Sequence, residues 1–132
     1  MFIVDKNIIR KLLLEINGMK YGESIMIDDL HKKFSEIDET DFLGVISKLT
    51  LRYYIRIDGK FSHECFNLEK YNKIIGLDKE GLEAIDYIKN EKIWSRVEKL
   101  LNDNDYDDCS IFVAIKFAKE LINNDFKFIL NK

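Results

Sequence analysis

The chain has 132 residues, of which 46% are hydrophobic and 34% charged, with no proline and two cysteines. A chain of this length suits one domain that buries roughly two-thirds of its unfolded surface, so a core forms without staples. The net charge is −3, with residues 1–77 neutral and the acidic excess in residues 78–132, which argues against the broadly basic body of a strong non-specific nucleic-acid binder.

The first predicted helix opens at "VDKNIIRKLLLEI". Asp5 can cap it, Val4 and Ile9 occupy the two positions of a hydrophobic staple, and Ile8, Ile9, Leu12, Leu13 and Ile16 recur at helical spacing up to a stop near Gly18. "ESIMI" reads as a short strand. Asp28 is then expected to cap a short helix whose apolar stripe is Leu30, Phe34 and Ile37. A turn of about three residues at Glu36 to Asp38, a length typical of helix-turn-helix units, leads into "ETDFLGVISKL", with Phe42, Val45, Ile46 and Leu49 on one side.

"YYIRIDGK" alternates as a strand and ends on an Asp58-Gly59 turn. The segment 60–72 shows no clear period, and "KIIGL" reads as a returning strand. Helix, strand, helix, turn, helix, strand, loop, strand is the order of a winged helix. The expected fold class is therefore α+β and mainly α: a winged helix-turn-helix over residues 1–77, with residues 78–132 as a helical extension packed on it, one domain overall.

In that extension Asp78 is expected to cap a helix with Leu82, Ile85 and Ile88 on one face. Asn90 should cap the next, where Ile93, Trp94, Val97, Leu100 and Leu101 form a continuous stripe. The stripe places Trp94 in the core. The pattern Leu77-Asp78, Gly81, Leu82, Ile85, Asp86, Ile88 and then Ile93-Trp94, Val97, Leu100 resembles the phage-associated domain-of-unknown-function family numbered 2513, and more distantly the YjcQ-like winged-helix proteins. Two features depart from the usual pattern: large and small residues are exchanged at Ala84 and Tyr87, and the third helix ends in "LTLRYYI" without an Ala-Gly-Leu-Ile turn. The resemblance implies a winged helix of bacteria or their prophages and supplies no functional residues.

Two functions follow as expectations. The first is a DNA-binding transcriptional regulator that contacts phosphates with Lys48, Arg52, Arg56 and Lys60. The second is a non-catalytic interaction module, because Asp38, Glu39 and Asp41 at the start of the third helix repel phosphate and suit a basic protein partner. The same carboxylates also serve as cap and dipole complement. In "SIFVAIKFAKELI" the apolar side is wider than a surface helix needs, and Phe112 and Phe117 extend it, so a partner contact or a homodimer is expected there.

The remaining chemistry is sparse. "NDNDYDDC" matches a calcium loop at Asp103, Asp105 and Asp107, but Asp108 stands at the glycine position and Ala114 at the glutamate position, so the motif fails. Cys65 and Cys109 form no CxxC pair and read as small buried hydrophobes. His31, expected on an exposed helix side, and His63 have no identifiable catalytic partner, and no phosphate-binding glycine loop occurs. "MFIVDK" is too short for a signal-peptide core and no apolar run reaches membrane-spanning length. The expected protein is cytoplasmic, without enzymatic activity, cofactor, metal or membrane association.

Overall fold

The computed structural model describes residues 4–58, 72–106 and 109–130. The order is α1 (Lys6–Asn17), β1 (Ile25–Met26), α2 (Ile27–Lys32), α3 (Glu39–Leu51), β2 (Ile55–Ile57), β3 (Lys73–Leu77), α4 (Lys79–Ile88), α5 (Glu91–Asp103) and α6 (Ile111–Leu130). It is an α+β fold, mainly helical, and its described strands form an antiparallel sheet in the order β1-β3-β2.

α1 begins where Asp5 accepts a hydrogen bond from the Asn7 amide at 2.7 Å and ends at Gly18. Leu12, Leu13 and Ile16 are buried, while Val4, Ile8 and Ile9 pack against the core from its edge. β1 is shorter than expected, because α2 starts directly at Ile27. Asp28 is not the cap: Met26 holds that position, and the Ile27 amide donates to the Asn72 carbonyl at 2.9 Å beside β3. That bond satisfies an amide a cap would otherwise serve. Asp28 lies instead in the first turn, where its charge complements the helix dipole.

The connection from α2 to α3 spans residues 33–38, longer than the short turn expected. His31 closes it, which corrects its expected place on an exposed side. Its Nε2 donates to the Ile37 carbonyl and its ring stacks on Phe42, centroids 4.8 Å apart. Phe34 and Ile37 of this connection are buried in the same core.

α3 buries Phe42, Ile46 and Leu49, with Val45 only half-buried. It ends in a Schellman arrangement: the Tyr54 amide donates to the Leu49 carbonyl at 2.9 Å and the Tyr53 amide to Thr50 at 3.1 Å. Tyr53 takes φ 64° there, the conformation that glycine normally supplies. This is how the helix turns without the glycine expected at its end. A side chain in that conformation costs roughly 1–2 kcal/mol, so Tyr53→Gly should gain about 1 kcal/mol in chemical denaturation, less the extra entropy of an unfolded glycine. Unchanged or lower stability would mean that the half-exposed tyrosine ring contributes more than the backbone loses.

The turn also seats α4. The Tyr54 carbonyl accepts from the Asp78 amide and the Tyr53 carbonyl from the Glu80 amide, both at 2.9 Å. Gly81 packs so closely that a Cβ built on it would lie 2.0 Å from the Tyr54 carbonyl oxygen. The buried stripe of α4 is therefore Gly81, Ala84, Ile85 and Ile88. Leu82, expected in that stripe, is 58% exposed, because the close approach at Gly81 rotates the helix about its axis.

α5 is capped by Asn90, which accepts from the Ile93 amide at 3.0 Å, and buries Trp94, Val97 and Leu101. Trp94 is 2% exposed. Its Nε1 donates to Asn7 Oδ1 at 2.8 Å, and the Arg10 guanidinium lies 5.1 Å from its ring centre. Arg10 is itself buried. Its Nε donates to the Ile88 carbonyl at 2.7 Å and its Nη2 to Glu91 at 3.1 Å, joining α1 to the end of α4 and the start of α5. α6 buries Ile111, Ala114, Ile115 and Ala118 and packs on α1, α4 and α5. One apolar cluster runs from Leu12 to Ala118 through every helix.

Candidate nucleic-acid interface

The surface of α3 follows from its buried stripe. With Phe42, Ile46 and Leu49 inward, Thr40, Gly44, Lys48 and Leu51 come out together at helical spacing. Arg52, the residue after the helix, is also exposed. Lys48 and Arg52 make no ion pair among the described residues, whereas Lys32 pairs with Asp29 and Lys33 with Glu15.

Asp38 caps α3, accepting from the Asp41 amide at 2.8 Å. Glu39 is exposed in the first turn and Asp41 is half-buried. Burial, and after it the charge of Asp38 and its hydrogen bond, raise the Asp41 carboxyl above the usual carboxylate range. Asp38 is thus committed to the helix start, whereas exposed Glu39 makes no side-chain hydrogen bond or ion pair among the described residues.

Of the expected cations, Lys48, Arg52 and Arg56 lie among the described residues. Lys48 lines a cleft with Val4 and Ile9 from α1 and its lead-in, Asp41, Gly44 and Val45 from α3, and Ser110, Ile111 and Phe112 at the start of α6. Arg52 stands over the Phe112 ring, 4.1 Å from its centre. Arg56, on the solvent side of β2, lines a different groove with Lys20, Tyr21, Ile75, Gly76 and Leu82. Lys60 lies outside the described residues, as do Gly59, His63, Cys65, Asp107 and Asp108.

Phe112 and Phe117 both find neighbours within the chain. Phe112 lies between Arg52 and Tyr54, whose ring is 5.1 Å away, and Phe117 meets Tyr106 at 5.9 Å. These contacts absorb part of the apolar width of α6. Burial first, and then the Glu80 carboxylate, raise the Tyr54 hydroxyl, while Arg52 opposes them. Cys109 is half-buried against the core.

Sequence reasoning missed Gly44 as a feature. Glycine inside a helix costs about 1 kcal/mol relative to alanine. A Cβ built on Gly44 would meet nothing within 4 Å, so no close packing accounts for it. It also missed Tyr53, which stands 56% exposed beside Arg52. The absence of a glycine from "LRYY" was the available signal.

Among the described residues no group of three or more His, Cys, Asp or Glu side chains is placed to hold a metal ion, and no helix is long and apolar enough to cross a membrane. No protein-family model, curated protein or solved structure matches the chain.

Proposed function

We propose that the chain is a winged-helix protein that binds duplex DNA through the C-terminal half of α3, acting by binding and not by catalysis. The order of the elements and the β1-β3-β2 sheet support the winged-helix reading. The observation that carries DNA binding is the pair Lys48 and Arg52, one helical turn apart on the solvent side of the helix and without ion-pair partners among the described residues. The acidic first turn disfavours base reading at the other end, since carboxylates repel phosphate and accept chiefly from cytosine. The binding expected is therefore phosphate-led and weakly sequence-selective.

The Lys48→Glu/Arg52→Glu variant tests this. It should weaken binding to every duplex sequence and make the dependence of log affinity on log salt shallower by about 1 per cation removed. Binding that survives with its salt slope intact would place the DNA on another face.

A second reading has one observation in its favour: Arg56 lines a groove separate from Lys48, while exposed Glu39 flanks the start of α3. On that reading α3 meets a basic protein partner. Asp38→Asn, Glu39→Gln and Asp41→Asn together should then abolish capture of the partner while the fold persists, because asparagine also caps helices. Capture of the same partners by this variant would remove the second reading.

A further inference from the structure

The cleft between α1, α3 and α6 has the attributes of a small-molecule site. Its volume is about 330 Å³, within the roughly 300–1,000 Å³ typical of ligand pockets. Val4, Ile9, Val45, Leu49 and Ile111 give it apolar walls, and Lys48 is the one cation among its described lining residues. That ammonium has no hydrogen bond or ion pair among the described residues. Gly44 lies between Asp41 and Lys48 in sequence and also lines the cleft, where an added Cβ would meet nothing within 4 Å.

We propose that this cleft binds an aliphatic carboxylate, its chain among Val4, Ile9, Val45 and Ile111 and its head group on the Lys48 ammonium. The charges fix the direction. Ser110, which also lines the cleft, immediately precedes α6 and accepts from the Val113 amide, and the positive dipole end of that helix favours a negative head group there. Asp41 lies seven positions before Lys48, roughly 10 Å along the helix at ~1.5 Å per residue, far enough to leave the ammonium unneutralised. A neutral or cationic ligand would leave Lys48 unanswered. The inference goes beyond DNA binding and does not rest on it.

Calorimetric titration of the full chain with decanoate and with decanol tests the assignment. Decanoate should bind once per chain and at least about tenfold more tightly than decanol, the difference made by one charge-assisted hydrogen bond. Lys48→Met should erase that difference by weakening decanoate alone. Gly44→Leu, which places a side chain in open space, should abolish both bindings while the melting temperature stays at or above that of the parent chain. Equal affinities for the two probes, no decanoate binding, or binding undiminished in Gly44→Leu would each overturn the proposal. Binding that emerges only when residues 1–3 are deleted would overturn it too, by assigning the cleft to the start of the chain itself.

Discussion

Trp94→Ala is expected to cost about 4 kcal/mol of folding stability, the usual range for a buried tryptophan being roughly 3–5. The residue is 2% exposed, and its loss leaves a large cavity between α1 and α5. Two polar consequences add to the cavity. Asn7 Oδ1, which accepts from the indole at 2.8 Å, loses its donor, and Arg10 loses the ring beneath its guanidinium. Arg10 keeps its bonds to the Ile88 carbonyl and Glu91, so the charge is not orphaned. Trp94→Phe separates the two contributions: it keeps most of the apolar area and loses the indole N–H, and should cost about 1–2 kcal/mol. Urea denaturation followed by far-ultraviolet circular dichroism reads both variants, since the chain has no other tryptophan to report. Near-native stability of Trp94→Ala would show that α5 does not hold α1 through this ring.

Gly81→Ala is expected to cost about 3 kcal/mol or more, a large effect for one methyl group. The added Cβ would sit 2.0 Å from the Tyr54 carbonyl oxygen and 3.0 Å from its carbon. Both are backbone atoms fixed by the Schellman turn at the end of α3, so no flexible side chain can move aside. Relief requires α4 to withdraw, and withdrawal breaks the bonds from the Asp78 and Glu80 amides to Tyr54 and Tyr53. Overpacking of a tight core commonly costs 1–3 kcal/mol, and the lost hydrogen bonds add about 1 kcal/mol each. Native stability in Gly81→Ala, measured by the same denaturation, would mean that α4 does not approach the turn this closely.

These two positions give a physical reason for the pattern that joined Asp78, Gly81 and Trp94 in the sequence. Asp78 and Gly81 meet the turn after α3, and Trp94 meets Asn7 and Arg10 on α1. Each is a contact between residues 78–132 and the first half of the chain.

Local rules made much of this fold legible. Asp5, Asp38, Asp78 and Asn90 each cap the helix that follows, because a cap is a short-range hydrogen bond written within a few residues. The alternation at Ile55, Arg56 and Ile57 survives as buried, exposed, buried. What could not be read depended on distant partners. Asp28 lost its capping role to the Asn72 carbonyl, and Leu82 lost its core position to the approach of Gly81 on Tyr54. Arg10 and Asn7 interrupt an apolar helix and look like solvated positions, yet both face α5. On the surface, charge type identified exposed cations but not their placement: Lys48 and Arg56 are near in sequence and line separate grooves.

The measurement that tests the central claim most directly is the affinity of the chain for fluorescent random-sequence duplex DNA across a salt series, on protein of known oligomeric mass. DNA binding through α3 requires affinity that tightens steadily as salt falls, with a log–log slope of about −2 or steeper, the release expected for two or more phosphates neutralised. No binding at the lowest salt, or an affinity indifferent to salt, would contradict that claim.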